Sequence, residues 1–430
     1  MDFTTQRPLT WQTCIECGNE VPAFDPSVRC RSCGGLLEVH HRPPDLTRDE
    51  LVARFTERRG AHRRLASGVW RFAEVVLPGI ENPVTHPEGN TPLLHRDALD
   101  EWCGIEGLLV KHEGYNPTGS FKDRGMTMGV THALRIGATA VACASTGNTS
   151  ASLAAYAAQA GIPGLVLVPD GQVAMGKLAQ TLAYGARTLV VRGDFDDCMR
   201  LIEAASERLG VYLLNSINPF RIEGQKTIVL ELLQQLGWTP PEWIVVPAGN
   251  LGNTAAFGKA LREAFSWGLI DRVPRIVAVQ AAGAAPFARA FDEGFATRHT
   301  VRAETVATAI RIGNPVSWTR AVTAIEETDG LVLALTDDDI LAAKAAVDGC
   351  GIGCEPASAA AVAGVRELVQ RGIALPGEKV VAVLTGHILK DPGILLEYHQ
   401  DREPSPPGAN RPVPIEASLS EVERVLSERR

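Results

Sequence analysis

From residue 107 onward one pattern repeats: a short apolar run, a turn, then apolar residues at helical spacing. Candidate strands fall at 107–111, 139–144, 164–168, 187–191, 211–215, 243–247, 275–279, 331–334 and 379–384. Helical patterns lie between them, near 121–136, 149–160, 174–184, 195–208, 224–236, 254–265, 338–348 and 357–371. Strands that alternate with helices are joined by crossovers, so they run parallel and are covered on both faces. The expected class is α/β with parallel-rich twisted sheets. A chain of 430 residues, 45% of them apolar, buries a large core, and at ~150 residues per domain it allows two or three domains. No internal repeat is visible.

The segments on either side break the pattern. At the N-terminus, Cys14-x-x-Cys17-Gly18 and Cys30-x-x-Cys33-Gly34 are separated by twelve residues. Paired CxxC turns place four thiolates tetrahedrally around Zn²⁺, and a glycine after each pair permits the tight knuckle. Residues 1–40 are therefore expected to form a small ribbon around a structural Zn²⁺. A metal-free ribbon or a redox pair remains open. The other cysteines, in a chain with no secretion signal at its N-terminus, read as free thiols in a reducing cytoplasm. Residues 41–80 are rich in Arg and Asp and hold a helical pattern from Asp49 to Arg58, and Gly89 to Leu94 reads as a turn into a short strand. From Asp401 the chain turns proline-rich and ends in a short charged helix, Leu419 to Arg429, taken as a surface tail. A net charge of −8 argues against a nucleic-acid partner, and no apolar run reaches the ~18 residues of a membrane span.

Lys122 stands out within the repeat. It follows a turn-rich stretch, Asn116-Pro117-Thr118-Gly119, and begins a helical pattern. Ser120 reads as the N-cap, with Asp123 completing a capping box. A lysine in a first helical turn faces exposed N–H groups and the positive end of the dipole, which disfavours its ammonium. A free amine is the better imine-forming nucleophile.

Four loops at strand ends carry small polar residues. Ser145-Thr146-Gly147-Asn148-Thr149 opens a helix and suits an anionic group. Gly249-Asn250-Leu251-Gly252-Asn253 combines two glycines with consecutive N–H groups, a phosphate cradle by mechanism. Thr385 offers a hydroxyl that could meet a heterocycle nitrogen, while His387 reads as a structural cap. Asn215 and Ser216, leading to Arg221, could clamp a second phosphate with bidentate geometry. Lys177 is a weaker candidate for the same anion.

Taken together, Asn116 to Arg124 and Ala144 to Thr149 resemble threonine synthase, a pyridoxal 5′-phosphate (PLP) enzyme of the tryptophan-synthase-β-like fold, fold type II. The likeness continues through Asn215 to Arg221, Gly249 to Asn253, Ile310 to Pro315, Cys354 to Ala359 and Thr385 to His387. It spans residues 14 to about 395. It implies a catalytic core over 41–400, with a smaller subdomain at roughly 125–225 inserted in a larger one, and a 401–430 tail outside the match. It further implies that Lys122 binds the PLP aldehyde and then moves protons, that Asn148 bonds the ring hydroxyl, and that the Gly249–Asn253 loop takes the cofactor phosphate. Thr385 would face the pyridine nitrogen and, as a neutral hydroxyl, leave it largely unprotonated. Ser145, Thr149, Lys177, Asn215, Ser216 and Arg221 would hold the substrate, O-phospho-L-homoserine. A cytoplasmic homodimer is expected from fold relatives. Departures are Gly351-Ile352-Gly353, where a bulkier residue is usual, and Lys390. Cysteate synthase and threonine dehydratase are the competing enzymes, and a non-catalytic ribbon-bearing binding protein is the competing class.

Overall fold

A computed structural model describes residues 8–59, 64–171, 175–406 and 408–428, with the side chains of 175–177 and 428 outside the description. Strands β1 (Thr10–Cys14), β2 (Glu20–Pro22) and β3 (Leu37–His41) form an antiparallel ribbon in the order β2-β1-β3. Next come β4 (Leu93–His95) and β5 (Leu109–His112), which pair antiparallel. The chain then builds a separate all-parallel sheet from β6 (Ala140–Ala144), β7 (Gly164–Pro169), β8 (Arg187–Val191) and β9 (Val211–Leu213), ordered β8-β7-β6-β9. Finally β10 (Trp243–Pro247), β11 (Arg275–Ala281), β12 (Leu331–Leu335) and β13 (Val380–Leu384) return to β5. The resulting six-stranded sheet runs β12-β11-β10-β13-β5-β4 and is parallel except for β4.

Every strand expected from the alternation is present within a few residues. The central strands β6, β10 and β13 are buried at every position, as expected of parallel strands sandwiched between helix layers. Separate apolar clusters lie on the two faces of the six-stranded sheet. One holds Ile244, Val246, Val381 and Val383, the other Val245, Val110, Ala382 and Leu384. The alternation of neighbours along one strand between two cores follows from the two-residue period.

Three expectations change. The helical pattern at 224–236 is two helices, Pro219–Gln225 and Thr227–Gln235. They meet at Lys226, whose ammonium donates to Glu223 at 2.5 Å and Glu263 at 2.6 Å. The first begins earlier than the periodicity suggests because Asn218 caps it, accepting from the N–H groups of Phe220 and Arg221, with Pro219 at its first position. The helices Asp97–Cys103, Pro286–Asp292 and Trp318–Glu327 escape the pattern. Ser120 does not cap the lysine helix. That helix spans Lys122–Arg135 and has no side-chain cap, and Asp123 instead accepts from the N–H (2.7 Å) and hydroxyl (2.6 Å) of Thr118.

The ribbon rests on two helices of the larger sheet and packs Leu36 against Ala142 and Ala144 of the smaller one. Lys259 donates to the carbonyl of Val39, and Arg320 to that of Leu37. His41 bonds Glu223 at 2.9 Å. The tail ends in the helix Leu419–Glu428; Arg429 lies outside the described residues. Among the described residues no helix is long and apolar enough to cross a membrane.

Candidate active site

The lysine helix starts where the six-stranded sheet ends. The segment before Lys122 pairs with the loop after β13: Phe121 N–H donates to Thr385 O at 3.0 Å, and His387 N–H to Gly119 O at 2.9 Å. A single antiparallel bridge joins Ser120 to Gly386. This clamp sets Lys122 beside Thr385 and does the work expected of a helix cap. Two residues on, Arg124 is fully buried and donates to Glu113 (2.6 Å) and Glu231 (2.9 Å). Charge-assisted bonds of this kind hold the helix start in one place.

Lys122 is half-buried with its ammonium 3.9 Å from the Phe121 ring centre. Its pKa is pushed down to about 7, first by burial, then by the nearby charge of Arg221, with Glu355 pulling the other way. The free amine expected from the helix start therefore arises through burial before anything else.

Thr385 is buried, and its hydroxyl lies 3.0 Å from Ser358 Oγ. It also donates to Glu355 Oε1 at 3.3 Å. Asn148, first residue of the helix Asn148–Ala160, donates from Nδ2 to Glu355 Oε2 at 2.9 Å. Burial raises the Glu355 pKa, opposed by Asn148, Lys122, Lys390 and Thr385. Glu355 and Ser358 carry no role in the sequence reading, although both lie in the quoted Cys354–Ala359 stretch. His387 does act as a cap, its Nδ1 accepting from Leu389 N–H at 3.2 Å.

The Gly249–Asn253 loop follows β10. Leu251 takes a left-handed backbone (φ 63°) immediately before the helix Gly252–Ser266, a turn that aims successive N–H groups into one concavity. At Gly249 a Cβ would fall 2.9 Å from Ile310 Cα, so only glycine fits. Asn250 pins the next wall, its carbonyl accepting from Ser317 N–H at 3.2 Å and Oδ1 from Val316 N–H at 3.3 Å. Asn253 Oδ1, Thr254 Oγ1 and Ser317 Oγ are buried here without a partner. Buried polar atoms are rarely left so, and this cluster beside a nest suits a phosphate.

On the smaller sheet, Ser145 to Thr149 lie half-buried at the end of β6. Ser145 Oγ accepts from Gly147 N–H at 3.3 Å. The Asn215 amide is engaged twice with Ala144, accepting from its N–H and donating to its carbonyl, both at 3.0 Å. It thereby ties β9 to the start of the 145–149 loop. Ser216 is half-buried beside it. Arg221 sits on the helix Pro219–Gln225, not on a loop, and is 2% exposed. Its Nη1 donates to Leu214 O at 3.0 Å, and its Nε has no partner. It packs against the lysine helix, within 3.3 Å of a Cβ placed at Gly125. No carboxylate among the described residues pairs with this guanidinium, and burial lowers its pKa to about 10. A buried cation left this way is ready for an anion. The Lys177 side chain lies outside the described residues.

Residues 84–386 match the family described as Pyridoxal-phosphate dependent enzyme. Over 390 residues the chain is 48% identical to threonine synthase of Methanosarcina acetivorans, which covers 90% of this chain and 94% of that relative. With threonine synthase of Methanocaldococcus jannaschii the identity is 42% over 420 residues, 97% of this chain and 99% of the other. The solved structure of threonine synthase from Escherichia coli shares the fold at a TM-score of 0.69 and 20% identity, over 98% of this chain and 100% of that one. The chain belongs to the pyridoxal-phosphate dependent enzymes and, within them, to the threonine synthase family.

Proposed function

We propose that the chain converts O-phospho-L-homoserine and water to L-threonine and phosphate, with PLP bound at Lys122. The observation that carries this reading is a pair of separate anion-ready sites. One is the Gly249–Asn253 nest, with its orphaned Asn253, Thr254 and Ser317 oxygens. The other is the buried Arg221, whose Nε is unbonded and which has no carboxylate partner among the described residues. The cofactor brings one phosphate, so the second site calls for a phosphorylated substrate. A dehydratase needs no such site.

The residues fit the cofactor. Lys122 would hold its aldehyde carbon, the 249–253 loop its phosphate, Asn148 its ring hydroxyl and Thr385 its ring nitrogen. Bound there, PLP supplies a sink for negative charge developing at the substrate α-carbon. Lys122, near neutrality as an amine, takes the proton at Cα and passes one at Cβ. A base with a pKa close to the working pH suits both directions of transfer. Arg221, with Ser145, Thr149, Asn215, Ser216 and Lys177, would hold the substrate anions. A buried guanidinium stabilises charge best as it grows on the departing phosphate. We assign Zn²⁺ to Cys14, Cys17, Cys30 and Cys33. Their sulfurs lie within 4.8 Å of one another, with pairs at 3.4 and 3.7 Å. Four sulfurs at about 2.3 Å from a tetrahedral ion stand about 3.8 Å apart. Gly18 and Gly34 take the positive φ that the two knuckles need. The reading carries with it a smaller subdomain around β6–β9, and a cytoplasmic homodimer that sedimentation would test.

Product analysis decides the reaction. Purified enzyme with PLP should release phosphate and L-threonine from O-phospho-L-homoserine. Phosphate release from phosphoserine with sulfite, and none from phosphohomoserine, would instead select cysteate synthesis.

A further inference from the structure

Glu355 has no part in the scheme above, yet it lies between two of its residues. It precedes the helix Pro356–Gln370 and is 4% exposed. One carboxylate oxygen accepts from Asn148 Nδ2 at 2.9 Å, the other from Thr385 Oγ1 at 3.3 Å. Its backbone N–H donates to Gly386 O at 3.1 Å. The carboxylate passes so near Gly386 that a Cβ there would fall 2.3 Å from it. Lys122 and Lys390 are close enough to favour its charge, but among the described residues no lysine or arginine donates a hydrogen bond to it.

Counting donors and acceptors fixes the direction of each bond. Ser358 Oγ accepts from the N–H groups of Thr385 and Gly386, each at 2.9 Å. Its lone pairs are then used, so its own proton goes to Thr385 Oγ1, 3.0 Å away. The Thr385 proton goes in turn to Glu355. Thr385 Oγ1 is left with one unused lone pair and no proton to give. The same carboxylate requires the Asn148 nitrogen, not its oxygen, to face it. One amide N–H remains for a second partner.

We propose that Glu355 is a positioning residue that sets the polarity of both groups facing the cofactor ring. It makes Thr385 an acceptor toward the ring nitrogen and Asn148 a donor toward the ring hydroxyl. This rests on the placement of PLP given under Proposed function. An acceptor opposite the ring nitrogen favours the form that carries a proton there, taken from solvent. The electron sink is then stronger than a freely rotating hydroxyl would make it, the reverse of the expectation from Thr385 alone. A glutamine at 355 has one oxygen for two donors. Turning Asn148 would set its amide oxygen against the ring oxygen, so the glutamine gives its NH₂ to Thr385 and the Thr385 proton turns to the ring nitrogen.

The test is the ¹⁵N resonance of PLP labelled at the ring nitrogen, bound to the full-length enzyme. Wild type should resonate near the protonated position, and Glu355→Gln should move toward the unprotonated one while keeping one PLP per chain. Ser358→Ala leaves the bond from Thr385 to Glu355 in place and should keep the wild-type resonance. A merely structural defect would move both variants alike. An unchanged resonance in Glu355→Gln with PLP bound overturns the proposal, as does an equal move in Ser358→Ala. If Glu355→Gln does not hold PLP, Gly386→Ala pushes the carboxylate off Thr385 and should cause the same displacement; no displacement there overturns the proposal too. Thr385→Val separates the two levels of argument. If it leaves the resonance unmoved, Thr385 does not face the nitrogen and the placement of PLP is at fault.

Discussion

The two walls of the site, one on each sheet, are built to different standards. On the six-stranded side, Thr385, Ser358 and Asn253 are 5%, 0% and 6% exposed. The 385–387 loop there is bonded both to Ser358 and to the segment before Lys122. On the four-stranded side, residues 145–149 are half-buried, and the Asn215 amide holds the backbone of Ala144 with one N–H left over. A wall that must hold a resident cofactor is preorganised. A wall that admits and releases a substrate stays more open. Asn148 apart, substitutions on the two sides should therefore separate cofactor binding from turnover.

The largest effect is expected from Lys122→Ala. Losing the nucleophile and proton carrier together should cut threonine formation by ~10³-fold or more. The cofactor should then be removable by gel filtration, with the visible absorbance of lysine-bound PLP gone. A variant that kept both band and turnover would disprove the role of this lysine. On the other wall, Arg221→Met should lower kcat/KM for phosphohomoserine by about 10²–10³-fold, the range for removing one preorganised donor from developing charge. Its PLP affinity should stay within a few-fold of wild type. A parallel loss of PLP affinity would show that the two anion sites are one.

The charge that links the walls gives a smaller, graded effect. The Lys122 pKa is depressed to about 7, by burial first and Arg221 second. Below that value the amine is protonated and cannot attack an aldehyde. Uptake of PLP by the apo-enzyme should therefore speed up as pH rises through about 7. An ordinary lysine would show that rise near 10.4. In Arg221→Met the neighbouring cation is gone, so the midpoint should move upward. Burial persists, so it should stop short of the ordinary value. Stopped-flow absorbance at a series of pH values reads both midpoints, and identical midpoints would remove Arg221 from the environment of Lys122.

Much of this was legible in the sequence for local reasons. Parallel strands read well because both faces are buried and the runs are apolar throughout, as in Trp243–Pro247. The Gly249–Asn253 loop read well because glycine and a helix start are local signals. What failed was settled by distant parts of the chain. Ser120 is not a cap because Gly386, 266 positions later, forms a bridge with it. Glu355 before Pro356 looks like any helix entry, and its direction is set by the arrival of Gly386 and Asn148 from two different sheets. Arg221 was expected on a loop because the capping by Asn218, which sends a helix through it, competes with the turn signal of Asn-Pro.

The ribbon offers the smallest and most indirect test, because it reaches both walls through the elements behind them. It grips the helices Gly252–Ser266 and Trp318–Glu327 through Lys259, Arg320 and Arg262, the last reaching Glu38 at 3.2 Å. The first of those helices begins at the phosphate nest, and Ser317, just before the second, donates its N–H to Asn250. Leu36 of the ribbon packs with Ala142 and Ala144 of β6, and His41 bonds Glu223 on the helix of Arg221, so ribbon disorder should reach both walls. Removing the proposed Zn²⁺ with a chelator, or replacing Cys33 by Ser, should release about one Zn²⁺ per chain and lower Tm by a few °C, at roughly 2–4 °C per kcal/mol for a large domain. The same treatment should weaken PLP binding by less than the ~10–100-fold typical of partners that touch a ligating residue directly. KM for phosphohomoserine in PLP-saturated enzyme should rise by a similarly small factor. A KM left unmoved while PLP affinity falls would mean that the ribbon supports the six-stranded wall alone, whatever it touches on the other.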